Sequence, residues 1–249
     1  MTKIISIANH KGGVGKTTTT VNLAAGLNLK GKKILCIDLD PQANLTQSLG
    51  IKEFECSVYD SLTQNSDLIP IEKRSGFDVI PSHINLSGAE VELINEPGRE
   101  YILKNLVNKI KANYDFVFID CPPSLGLLTV NAFVASDRII IPLQAEFLAT
   151  QGLAKIIEII TKVKERINPE FELGGVIFTQ YNSRRVLNKD IRKKVEQHFS
   201  DKLFETTIRE NISLAEAPAA GLDIFEYNDK SIGAEDYAKL TDEFLLRLS

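Results

Sequence analysis

Three stretches hold residues whose types and spacing could do chemistry: Lys11 to Thr18, Asp38 to Asp40, and the segment around Asp120. The first reads Asn9-His10-Lys11-Gly12-Gly13-Val14-Gly15-Lys16-Thr17-Thr18. Gly12, Gly13 and Gly15 allow close backbone approach and unusual φ values, so the N–H groups from Lys11 to Thr18 can cradle a phosphate chain. Lys16 could bring its ammonium to the β- and γ-phosphates, and the Thr17 hydroxyl could ligate Mg²⁺. The strict phosphate-loop pattern asks for a glycine where this chain has His10; it carries a second lysine, Lys11, five residues before Lys16.

The elements around this loop suit that chemistry. Ile4-Ile5-Ser6-Ile7-Ala8 reads as a strand and Thr19 to Leu29 as a helix, an order that aims a helix N-terminus at the bound anion. Ile34-Leu35-Cys36-Ile37 reads as a buried parallel strand that ends at Asp38-Leu39-Asp40-Pro41-Gln42. Carboxylates there point into the crevice where α/β ligands sit, on one side of the strand if it continues. One could hold Mg²⁺-bound water while the other orients an attacking water; a helix N-cap ahead of Pro41 is the plainer alternative. Phe116-Val117-Phe118-Ile119 closes on Asp120, followed by Cys121-Pro122-Pro123-Ser124, and a carboxylate so placed can hold Mg²⁺ through water opposite Thr17.

Further strands are expected at Phe77–Ser82, Arg138–Leu143 and Gly175–Thr179, and helices at Leu86–Ile94, Arg99–Ala112, Thr129–Ala135, Thr150–Arg166 and Ala234–Leu248. In the helix from Leu86, Ala89, Leu93 and Ile94 share one side. Residues 43–75 are polar and mixed, with a short helical pattern near 58–64. Strands alternate with helices throughout, which predicts an α/β fold with a doubly wound, mostly parallel sheet flanked by helices.

From Arg184 to Lys194 six residues are basic against one acid, Asp190. A helix from Asn188 would stack Lys189, Arg192 and Lys193 on one face, with Arg184 and Arg185 just before it. Such a patch binds phosphate backbones without reading bases, or is an ordinary solvated face. At 249 residues and 43% hydrophobic, the chain can bury one sizeable core, and a single domain over 1–249 is expected. The net charge of −4 supplies no global attraction for nucleic acid, so any DNA contact must be local. Cys36, Cys56 and Cys121 lie far apart, as buried free thiols of a reducing cytosol would. No run approaches the ~18 apolar residues of a membrane span, and nothing at the N-terminus resembles a signal peptide.

The loop, with its second lysine, resembles the deviant Walker A loop of a superfamily that includes partition ATPases, the septum-site ATPase MinD and nitrogenase iron protein. The Asp-x-Asp-Pro-Gln and Asp-x-Pro-Pro segments resemble its two switch regions, and Ile208 to Pro218 its late loop. The resemblance covers nearly the whole chain and is closest to partition ATPases of the short ParA/Soj type, without the N-terminal helix-turn-helix region of larger plasmid members. It implies ATP and Mg²⁺ as ligands, and an ATP-bound homodimer in which Lys11 crosses to the partner's phosphates. It assigns water positioning to Asp40 and an adenine contact to Arg209 through Asn211. It further implies nonspecific DNA binding through the basic patch, a ParB-like partner that stimulates hydrolysis, and a cytoplasmic protein that joins the nucleoid in its ATP state. Two family arginines fall on Glu210 and Ser213, which removes possible DNA contacts. The alternatives are a MinD-like membrane switch, whose C-terminal helix normally needs a basic face that this chain lacks, and ParA-like positioning of a protein cargo.

Overall fold

The computed structural model describes residues 1–64, 66–72, 76–147 and 149–248. The strands are β1 (Lys3–Ile7), β2 (Ile34–Asp38), β3 (Ile71–Glu72), β4 (Asp78–Ile80), β5 (Phe116–Asp120), β6 (Arg138–Gln144) and β7 (Glu172–Thr179). Between them run α1 (Lys16–Leu29), α2 (Asn44–Ser48), α3 (Val58–Thr63), α4 (Leu86–Glu92), α5 (Ile102–Ile110), α6 (Leu127–Ala135) and α7 (Ala149–Arg166). After β7 come α8 (Val186–Phe199), α9 (Ile212–Glu216), α10 (Ile224–Asn228) and α11 (Ile232–Leu248).

The sheet order is β3-β4-β2-β5-β1-β6-β7, parallel except for the short β3 on one edge. This is the doubly wound α/β arrangement that the alternation of elements predicts. Each strand sends alternate residues to opposite faces. Ile5, Ile7, Cys36, Phe116, Phe118 and Ile140 join Leu23, Leu27, Tyr237, Leu240 and Phe244 on the α1/α11 side. Ile4, Leu35, Ile37, Val117, Ile119, Ile139 and Ile141 join the side of α4 to α8. Burial on both faces is what near-continuous apolar strands need.

Because β1 is central and pairs with β5 on one side and β6 on the other, its C-terminal end lies where the winding reverses direction. Ligands of open α/β sheets bind at such a point, and the glycine loop leaves β1 there. The apolar stripe of α11 (Tyr237, Leu240, Phe244, Leu248) is buried in the core. Among the described residues no helix is long and apolar enough to cross a membrane.

Three local expectations need correction, the first being that the strand expected from Gly175 begins at Glu172. The helix after the loop begins at Lys16 instead of Thr19. Ile94 is exposed, because the end of its helix tightens to a 3₁₀ turn over Leu93–Asn95 and shifts the period that would have placed it beside Leu93. Residues 65 and 73–75 of the polar stretch 43–75 lie outside the described residues.

Candidate nucleotide site

The loop is shaped by bonds that pull its carbonyl groups outward. Gly13 carbonyl oxygen accepts from Gln144 Nε2 and Gln180 Nε2, both at 3.1 Å, and Val14 carbonyl oxygen from Thr179 Oγ1 at 2.7 Å. Asn9 braces the loop entrance, donating to Pro142 carbonyl oxygen and accepting from the Lys11 N–H. Gly13 and Gly15 take left-handed φ values of 74° and 84°, which other residues adopt only with strain. Helix α1 then starts with no side-chain cap and no acidic residue in its first turn. Its unpaired N–H groups and positive dipole end are left for an anion.

A cleft of about 380 Å³ opens over these groups, lined by Gly12, Gly13, Gly15, Lys16, Thr17, Thr18 and Asp40 among others. A second cavity shares Gly15, Thr18, Gln180 and Leu214 with it and extends to Arg209, Asn211 and Tyr237. The first offers the loop N–H groups and Lys16 that suit a phosphate chain, and the second adjoins it. Asn211 lines the second cavity, and its Oδ1 is buried close to Gly233 of α11 with no hydrogen-bond partner within the protein. Arg209 is already engaged: its guanidinium donates to Asp236 and Glu235 and its N–H to Asp236 Oδ2, which fastens the segment before Asn211 to α11.

At the sheet end, Asp120 accepts from Thr17 Oγ1 at 2.7 Å and Thr20 Oγ1 at 3.2 Å. Burial, then the nearby charge of Asp38, pushes the Asp120 carboxyl up to about 8, against the pull of Thr17, Lys16 and Thr20. Burial likewise lowers the Lys16 ammonium, whose Nζ donates to Lys11 carbonyl oxygen at 3.3 Å. The Thr17 hydroxyl and Asp120 carboxylate form a hard oxygen pair, and the acids there outnumber Lys16. This fits Mg²⁺, which takes one or two protein oxygens and completes its shell with water and phosphate. Among the described residues no three His, Cys, Asp or Glu side chains gather into a metal cage.

The structure separates the two carboxylates that the sequence leaves paired. Asp40 lines the cleft, whereas Asp38 is fully buried, with its oxygens taken by the Thr46 N–H and hydroxyl and the Asp40 N–H. Burial pushes its carboxyl up to about 6 despite these bonds. Strand β2 ends at Asp38 and the chain turns, so the alternation that would have put both acids in the cleft does not continue. Asp38 thus serves as an internal brace in this structure, with both its oxygens engaged by protein donors.

Lys11 lies apart from its own cleft. Its Nζ donates to Glu146 Oε2 at 2.5 Å and Gln144 Oε1 at 3.2 Å, beside a third cavity lined by His10, Val14, Phe147 and Gly152. The basic patch is divided as well. Lys189 and Lys193 are exposed on α8 and Arg184 just before it. Arg185 forms a two-pronged pair with Glu210 at 2.8 and 3.3 Å. Arg192 turns half-buried across the Tyr181 ring toward Glu205, so it leaves the face it would share with Lys189 and Lys193. Sequence reasoning missed Gln144, Thr179 and Gln180; their one signal is position, at or just past the C-terminal ends of β6 and β7.

A family profile described as an AAA domain matches residues 2–173. The sporulation initiation inhibitor protein Soj of Bacillus subtilis is 45% identical over 248 residues, covering 98% of each chain. The chromosome-partitioning ATPase Soj of Treponema pallidum is 41% identical over 250 residues, 99% of this chain and 98% of its own. Among solved structures, a Mycobacterium smegmatis protein described as cobyrinic acid a,c-diamide synthase with bound ADP and magnesium superposes with a TM-score of 0.86. That protein is 35% identical, and the match covers 99% of this chain and 95% of the other. Matched along nearly its whole length by partition proteins and built around a two-lysine phosphate loop, the chain belongs to the Soj/ParA family of P-loop ATPases.

Proposed function

We propose that this ATPase is a partition switch that closes into a homodimer on ATP, binds DNA without sequence preference in that state, and is reset by hydrolysis that a ParB-like partner stimulates. The reading rests chiefly on the cleft itself, where an uncapped helix N-terminus, a buried lysine and an acid at the rim converge on one volume. ATP phosphates occupy the cleft over Gly12 to Thr18, and the adenine the adjoining cavity, where Asn211 Oδ1 accepts from its amino group. Thr17, and Asp120 through water, would hold Mg²⁺, which would supply neutralisation of the phosphate charge. Lys16 stabilises charge developing on the transferred phosphoryl group, Asp40 orients the attacking water, and Lys11 leaves Glu146 for the phosphates of the second subunit.

DNA contacts come from Arg184, Arg185, Lys189 and Lys193, with Arg192 joining them once it leaves Glu205, and pairing two such patches in the dimer makes weak binding useful. Asn188 supports a link between the sites: its side chain accepts from the Asn182 N–H at 2.9 Å and donates to Ala145 carbonyl oxygen at 2.8 Å. This ties α8 to the residue between the two partners of Lys11. The cargo is a chromosome or plasmid, and the protein is nucleoid-associated in its ATP form. Binding to a random-sequence duplex with ATP–Mg²⁺, ADP or no nucleotide, at two salt concentrations, tests the scheme, with Asp40→Ala holding the ATP state. Salt-sensitive binding confined to ATP is expected. Equal binding in all three states would reject the switch, and none in any state would leave the patch a solvated face.

A further inference from the structure

We infer that Ser82 is a positioning residue for Asp40 in ATP hydrolysis, acting through a hydroxyl bond to the Asp40 carbonyl at the end of a buried polar chain. This rests on the reading of Asp40 as the group that orients water. Asp40 sits just past β2, on a turn closed by the Ala43 N–H bonding to its carbonyl oxygen at 2.8 Å. Ala43 takes a left-handed φ of 53°, a conformation that needs outside support in a residue with a Cβ.

That support arrives from three elements. Asp38, the last residue of β2, accepts from the N–H and hydroxyl of Thr46 at 2.9 and 2.7 Å, capping α2 from the sheet. Thr46 Oγ1 in turn accepts from the Ser82 N–H at 2.9 Å, and Ser82 Oγ donates to Asp40 carbonyl oxygen at 2.8 Å. Asp38, Thr46 and Ser82 are all at most 2% exposed. Ser82 is itself fixed beyond β4, where the preceding carbonyl, of Pro81, accepts from the Val58 N–H of α3.

The Asp40 carbonyl already has a partner in Ala43, so the Ser82 bond is not required merely to satisfy it. Its added effect is geometric. It fixes the turn in a second direction, from β4, three strands away from β1 and its phosphate loop. Displacing a water-orienting group by about 1 Å can cost on the order of a hundredfold in rate, so a brace of this kind acts on turnover more than on binding.

The test is single-turnover ATP hydrolysis with Mg²⁺ for wild type, Ser82→Ala, Ser82→Thr, Thr46→Val and Asp40→Ala, with nucleotide affinity and Tm measured alongside. Ser82→Ala should lose roughly ten- to a hundredfold in kcat with KM within about twofold. Ser82→Thr, which keeps the hydroxyl, should recover most of it. Adding Ser82→Ala to Asp40→Ala should cost nothing further, because both act through one group. Should Ser82→Ala not fold, Thr46→Val, which removes the next link at constant shape, must show the same split. Unchanged kcat in folded Ser82→Ala, or a loss of affinity that accounts for the whole effect, overturns the inference while an inactive Asp40→Ala keeps the Asp40 role. Full turnover in Asp40→Ala would reject that role and this inference together.

Discussion

At the scale of single residues, the site depends on which polar atoms are already taken. Arg209 and Asn211 are two positions apart, yet Arg209 is bound to two acids of α11 while Asn211 Oδ1 has no partner. The first holds the segment, and under the proposed function the second is left to read the ligand. A buried acceptor favours a base that presents an amino donor over one that presents a carbonyl, since mismatch leaves both groups unpaired. Asn211→Ala is therefore expected to raise the KM for ATP about tenfold or more and to narrow the preference for ATP over GTP, by competition binding, with kcat little changed. An unaltered preference would remove Asn211 from base recognition. The sequence alone made Lys16, Thr17 and Asp120 legible, because a glycine loop after one strand and an acid closing another have fixed places at the C-terminal edge of a parallel sheet. It could not divide Asp38 from Asp40, since the turn that separates their environments is held by Thr46 and Ser82, the latter more than forty residues away in the chain.

Elements were legible where periodicity reports burial on one or both sides, and β5 matches its expected bounds, Phe116 to Asp120. Helix α1 was read three residues short because its N-terminus has no capping side chain to signal it; a ligand is meant to supply what a serine or aspartate would. Arg192 was misplaced because its direction is set by Tyr181 and Glu205, contacts that a helical repeat does not encode. The packing of α1 against α11 gives a sharper test of how these elements hold the loop. Gly26 faces Thr241, where an added Cβ would run into the hydroxyl and lie 3.2 Å from Thr241 Cβ. The Thr241 hydroxyl is fixed by donating to Tyr237 carbonyl oxygen at 2.7 Å, so it has little room to yield. Gly26→Ala should gain about 1 kcal/mol of helix propensity yet lose about 1–3 kcal/mol to overpacking. A net fall in Tm is expected, reversed in the double variant with Thr241→Ser only if the threonine methyl, not the hydroxyl, is the obstacle. A rise in Tm in Gly26→Ala alone would show that the two helices can part without cost.

Across the whole molecule, 33 acidic residues face 29 basic ones, so any attraction to DNA must be built against an adverse background. The patch is weakened further from within, because Glu210 occupies Arg185 and Glu205 approaches Arg192. A phosphate that reaches Arg185 has to displace a carboxylate already paired through two hydrogen bonds. Under the proposed DNA binding, Glu210 would be an internal competitor for DNA. Glu210→Gln removes the competing charge while keeping the shape of the side chain. Under the proposed dimer, one arginine per subunit becomes available, and the slope of log K against log salt should steepen by about 0.9 for each, or about 1.8 per dimer. Affinity for random-sequence duplex at low salt should rise with it. Arg185→Ala in the same background should remove the gain, which separates a specific release of Arg185 from a general loss of negative charge. Glu210 also lines the cavity assigned to adenine, so ATP affinity is measured in parallel to keep the two effects apart. An unchanged salt slope in Glu210→Gln would mean that Arg185 does not meet DNA, and that contact falls instead to Arg184, Lys189 and Lys193.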